Sequence, residues 1–193
     1  MSFSLDVRVE REFTVAGRVS SDRDEVNNRL RAIRDALDRT QMRTLLQQVG
    51  EIYYDSTLER FRSQSEPSGQ KWRAWAELTK KLRKTGVIGR GGQMHRPPAV
   101  SSVSVGGQSI TAGKLIWTGK LIKAIKVAVR ADRGTVQIGV NSAQVPYAWL
   151  HQMGHGKIPM RKFLGYTKKA NEAAKKAISN YLMAQAFGIS PEK

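Results

Sequence analysis

Lys126-Val127-Ala128-Val129-Arg130, Ala131-Asp132-Arg133-Gly134 and Thr135-Val136-Gln137-Ile138-Gly139-Val140 follow one another without a break. Both flanks alternate apolar with polar residues, the period of a strand that buries one face. The four residues between them end in glycine, where a hairpin loop often needs a positive φ. The stretch reads as an antiparallel hairpin, and it decides that the fold contains a sheet.

Working outward, Leu115 to Ile125 reads as a short helix or turn leading into the first strand of that hairpin. Pro146 to Gly154 reads as a short helix ended by glycine, and Ile158 to Gly165 as an extended segment. Asn171 to Phe187 has Ala174, Ala177, Ile178, Tyr181 and Leu182 at helical spacing, with Lys175 and Lys176 off that face. Near the start, Phe3 to Val9 alternates as a half-buried or edge strand does. Val26, Leu30, Ile33 and Leu37 follow at helical spacing behind Ser20, Ser21 and Asp22 as candidate caps. Met42, Leu45, Leu46, Val49, Ile52, Tyr53, Leu58 and Phe61 continue the period, so one long helix or two abutting helices span about 23 to 62. Between Thr85 and Gly113, glycine, serine, proline and basic residues dominate, with Val100, Val103, Val105 and Ile110 scattered among them. This excursion is expected to be mobile in the free subunit and to order against a neighbour or carry a short hairpin. The order of elements, a long N-terminal helical segment, a small antiparallel sheet and a C-terminal helix, is an α+β plan in a single domain spanning 1–193.

Composition narrows the chemistry. With no cysteine among 193 residues there is no disulfide, thiolate zinc site or cysteine nucleophile. No apolar run is long enough to span a bilayer and no signal peptide pattern opens the chain, so a cytosolic protein is expected, with no membrane partner. The balance is 33 Lys+Arg against 16 Asp+Glu, a net charge of +17. From residue 100 onward the only acids are Asp132, Glu172 and Glu192. So one-sided a deficit of acid favours an anionic neighbour, either DNA or an acidic protein ring.

Catalytic and metal-binding patterns are weak. His151 and His155 have the i, i+4 spacing of a helical metal clamp, but Gly154 would end the helix between them and no acid lies near. A Ser/His/Asp site at His151 lacks both a nucleophile elbow and a nearby orienting acid. Gly89-Arg90-Gly91-Gly92 lacks the Gly-Lys-Ser/Thr of a phosphate loop. No catalytic residue, cofactor or metal is expected. Trp72 and Trp75, set among Lys71, Arg73, Lys80, Lys81, Arg83 and Lys84, could stack single-stranded nucleic acid. The alternative, that both indoles pack on the long helix while the cations face water, is favoured because tryptophan is costly to expose.

Five ordered motifs carry more information than any one of these patterns. They are Phe61-x-x-Gln64 with Pro67-x-Gly69-x-x-Trp72 and Leu78-Thr79; Trp117-Thr118-Gly119-x-Leu121; Val136-x-Ile138-Gly139; Tyr147-Ala148-x-x-His151-Gln152-x-Gly154; and Pro159-x-Arg161-x-Phe163-Leu164-Gly165. Together, over about 25 to 183, they resemble the phage virion morphogenesis family of Mu-like and P2-like contractile-tailed phages, the tail completion proteins. The resemblance implies a tail-completion-like fold and a non-enzymatic structural subunit. Such subunits form a ring, hexameric in expectation, that caps the tail tube and joins it to the neck. The partners it implies are the chain itself, the tail tube protein, neck or connector proteins and the tail sheath, with non-specific DNA contact in the lumen. The location is the virion tail or neck, with the host cytoplasm during assembly.

Under the resemblance, Tyr147, His151, Gln152 and Gly154 form a structural corner, with Arg161 and Phe163 fastening the next strand and His151 a hydrogen-bonded buried histidine. Trp72, Trp117 and Gly119 join them as structural or interface positions. Lys80, Lys81, Arg83, Lys84, Arg90, Lys120 and Lys123 are candidate contacts to DNA or an acidic partner. A basic nucleic-acid-binding module acting in DNA packaging or passage stands as the alternative.

Overall fold

The computed structural model describes residues 3–7, 39–74, 87–88, 94–95, 100–116, 118–141 and 143–187. Its elements are strand β1 (Phe3–Val7), helix α1 (Arg39–Ser63), β2 (Val87–Ile88), β3 (Met94–His95), β4 (Ser102–Val105) and β5 (Gln108–Thr111). Helix α2 (Lys120–Lys123), β6 (Ile125–Arg130), β7 (Thr135–Val140), α3 (Ala148–Met153) and α4 (Lys168–Phe187) complete the order. The chain is α+β.

The expected hairpin is β6–β7. Its loop is a single turn of 3-10 helix over Ala131–Arg133, closed by Gly134 at φ 59°. β1 pairs on the other edge of β7, giving an antiparallel sheet in the order β1-β7-β6. Helix α1 lies across one face of this sheet because Gly50 removes the obstacle. A Cβ there would stand 2.6 Å from Val127 Cγ1 and 2.9 Å from Val136 Cγ2. Its other neighbour is α4, fixed by polar bonds as well as by Ala174 and Ile178, which are buried. The Tyr53 hydroxyl donates to Asn171 Oδ1 at 3.0 Å and the Tyr181 hydroxyl to the Gln41 carbonyl at 3.1 Å. The buried apolar residues of all these elements form one cluster.

Two expectations are met in part. The helix expected from about 23 to 62 is described from Arg39, and the cap and stripe between Asp22 and Asp38 lie outside the described residues. Of the basic excursion, the part from Ser102 to Thr111 is a packed hairpin, β4–β5, rather than scattered apolar positions. Val103 and Ile110 face each other across it and are both buried. Gly106 and Gly107, at φ 58° and 72°, supply the two left-handed positions that a two-residue hairpin turn requires. The turn rests on Leu58 and Tyr54 of α1. Val103 also fixes what may stand at Gly119, whose φ is 74° and whose added Cβ would lie 2.7 Å from Val103 Cγ2.

Candidate assembly interface

The motif residues on either side of the sheet meet in a single corner, where the loop after α1 touches the segment between α3 and α4. Phe61, Trp72 and Phe163 are its apolar centre. The Phe61 ring meets Trp72 edge-on with centroids 5.5 Å apart, and Phe163 with centroids 5.7 Å apart. Trp72 is 2% exposed and its Nε1 donates to the Lys162 carbonyl at 3.1 Å. A base cannot stack on it, so the stacking platform loses one of its two indoles; Trp75 lies outside the described residues.

Three polar side chains hold the irregular backbone around this centre. Gln152 behaves as a length of neighbouring strand: its Oε1 accepts from the Phe163 and Leu164 N–H groups at 3.1 and 3.0 Å, while its Nε2 donates to the Leu164 carbonyl at 2.8 Å. Buried backbone groups need partners, and no strand is present here to supply them. Arg161 reaches the other way, its Nε and Nη2 donating to the carbonyls of Arg73 and Ala74 at 3.1 and 3.2 Å.

Arg60, on α1, closes the arrangement. Its Nε donates to the Phe163 carbonyl at 2.8 Å and its Nη2 to the Gly165 carbonyl at 2.8 Å, with Thr57 and Ser56 hydroxyls taking further bonds. Burial lowers its pKa to about 10, so it remains a cation at neutral pH, held by oxygen dipoles instead of a carboxylate. Arg161 and Phe163 thus fasten a coil, not the strand expected for them: the described residues 159–167 form no regular element.

These contacts join residues 60–74 to residues 151–165. It matches the phage virion morphogenesis family over residues 21–114. The match takes in the Phe61–Trp72 motif and supports the resemblance drawn from the motifs; the later motifs, beyond it, are tied to the matched region by the bonds just described. No curated protein and no solved structure matches the chain. Proteins of that family take part in building phage virions, and the similarity suggests a part of that kind. No helix among the described residues is long and apolar enough to cross a membrane.

The corner has a buried side and an open one. Tyr147, Trp149, Met153 and Met160 project from the open side, with Trp149 44% and Met153 62% exposed. Gly154 ends α3 at φ 73° and brings the chain back, for a Cβ there would lie 3.1–3.3 Å from Met160. Aromatic and methionine side chains are enriched in protein interfaces, and sequence inspection had singled out Tyr147 but not Trp149, Met153 or Met160. For Trp149 and Met153 the signal available was their position on a six-residue helix too short to bury every apolar side chain.

The two histidines separate. His151 meets the Tyr147 ring edge-on at 6.0 Å, whereas His155, past the end of α3, lies 5.5 Å from the Trp149 ring. Among the described residues no group of three or more His, Asp or Glu side chains could hold a metal ion. Contrary to the hydrogen-bonded role expected of it, His151 Nδ1 is buried with no hydrogen-bond partner. Burial, and then the Arg161 guanidinium, hold its pKa below the ordinary value.

The unfolded chain therefore takes up this proton first as the pH falls below about 6.5, the ordinary imidazole value. The contribution of neutral His151 to stability is complete above that pH and is lost as the pH falls toward the folded-state value. His151→Gln is expected to flatten the fall in Tm between neutral and mildly acid pH, measured by thermal melts of both proteins; an unchanged slope would count against it.

Of the remaining candidates, Trp117, Lys80, Lys81, Arg83, Lys84 and Arg90 lie outside the described residues. Lys120 and Lys123 are exposed on α2 and do not belong to the corner.

Proposed function

We propose that the chain is a ring-forming tail completion subunit at the head-proximal end of a phage tail, capping the tube, joining it to the neck and acting without turnover. The observation that carries this reading is the family match over residues 21–114. The corner supports it: a coil held by side-chain bonds to backbone offers a stiff platform, and its exposed aromatic and methionine side chains suit docking to the tube or connector. The nucleic-acid module is less favoured because Trp72 is buried.

Phage particles made without this protein are expected to have tails of abnormal length that fail to join heads, seen by negative-stain electron microscopy. Normal tails with normal attachment would refute the reading. Trp149→Asp with Met153→Asp, on side chains already exposed to water, is expected to leave thermal stability nearly unchanged and to reduce the yield of joined particles by more than about tenfold, since anchors of this kind each carry about 2 kcal/mol or more.

A further inference from the structure

Two exposed rows of opposite charge stand on different elements among the described residues. On α1, Glu51, Asp55 and Glu59 recur every four residues and all are exposed. Carboxylates at that spacing repel one another along a helix. Glu59 pairs with Arg62 and Glu51 accepts a bond from Gln47 at 3.5 Å, while Asp55 has no ion pair among the described residues. The opposite set is Lys120 and Lys123 on α2 with Lys126 and Arg130 on β6, all exposed and none paired with an acid among the described residues. Asp132, beside them, is engaged by Arg133 at 3.8 Å, and the sheet itself has one acid in its strands, Asp6, at the register position opposite Gln137.

Geometry places the acidic row and the strand members of the basic row, Lys126 and Arg130, on opposite sides of the α1–sheet pair. Lys126 and Arg130 alternate with Val127 and Val129, so they project from the sheet face turned away from α1. Gly50 faces the sheet, and at 3.6 residues per turn Glu51, Asp55 and Glu59 fall roughly 100° to 180° around the helix from it, on the far side. The acidic row on α1 and the pair Lys126 and Arg130 on β6 therefore face away from each other.

We propose that the acidic row Glu51/Asp55/Glu59 of one copy seats on the basic row Lys120/Lys123/Lys126/Arg130 of the next, head to tail; this rests on the ring reading above and names its contact. Two different surfaces on opposite sides of a subunit make a heterologous contact, the kind that propagates until rotation closes a ring. Like faces repel, so the charges also set direction. The basic row alone would suit DNA equally; the acidic row would not, and the pair favours a second copy.

The test uses the full chain in sedimentation velocity across a wide concentration range, at low and moderate salt. Wild type is expected to self-associate, more weakly as salt rises. Glu51→Lys/Asp55→Lys/Glu59→Lys and Lys120→Glu/Lys123→Glu/Lys126→Glu/Arg130→Glu should each weaken association by more than about tenfold. An equimolar mixture of the two variants should associate again, since each then offers the face that the other needs, and that rescue also certifies that both fold. A wild type that stays monomeric, association indifferent to either set of substitutions, or a mixture that does not recover would overturn the proposal; so would a basic row that affects only binding of a mixed-sequence DNA duplex. Failure here with abnormal tails in particles lacking the protein would leave the tail-completion reading standing, because that reading is judged on tail length and head joining.

Discussion

Arg60→Ala is expected to cost about 3–5 kcal/mol of folding stability, because it removes a buried cation whose partners stay behind. Arg60 is 3% exposed, and its guanidinium gives the Phe163 and Gly165 carbonyls hydrogen bonds of 2.8 Å each. With alanine those oxygens face an apolar void. A chain of this length loses about 2–4 °C of Tm per kcal/mol, so the melt should fall by roughly 6–20 °C. Arg60→Lys keeps the charge but not the planar fork that reaches two carbonyls at once, and should lie between the two. Urea unfolding followed by circular dichroism measures the series. A loss below about 1 kcal/mol for alanine would mean that the corner is not held from α1.

Arg60 also marks where sequence reading stopped. The hairpin β6–β7, the glycine that ends α3 and the closing helix were legible because each follows from local periodicity or from a residue that only certain dihedrals accept. A short hairpin in the excursion was one expected alternative, but β4–β5 was not placed, although Val103-Ser104-Val105-Gly106-Gly107-Gln108-Ser109-Ile110 contains both the alternation and a glycine pair suited to a left-handed turn; the basic, glycine-rich sequence upstream disguised it. Arg60 gave no signal, since nothing in the helical periodicity of α1 singles it out, and only the coil 163–165, distant in sequence, supplies the oxygens that make its burial favourable. Gln152 was singled out by resemblance, but its three bonds to the Phe163 and Leu164 backbone depend on the return of the chain after Gly154. The exposed Trp149 and Met153 were illegible for a related reason: apolar residues in a short helix give no sign of their exposure until the surface is known.

Trp72→Ala is the second large effect, again about 3–5 kcal/mol, and it examines the same corner from its apolar side. Trp72 joins the loop after α1 to the α3–α4 segment twice, by ring contact with Phe61 and by the 3.1 Å bond from Nε1 to the Lys162 carbonyl. Truncation to alanine deletes both and leaves a cavity between segments that have no strand pairing to hold them together. Trp72→Phe retains much of the ring packing and gives up the hydrogen bond, so its cost should be about 1–2 kcal/mol, and the difference between the two variants isolates packing from polar fastening. If stability came from the sheet and α1 alone, alanine and phenylalanine would cost the same small amount. If the corner is a stiff platform, limited proteolysis of Trp72→Ala should cut first between Gly154 and Tyr166, under conditions where wild type is resistant and the β6–β7 hairpin stays intact in both. That pattern would place the weakness in the coil beside Trp149, Met153 and Met160, and would link the buried half of the corner to the exposed half on which the proposed docking depends.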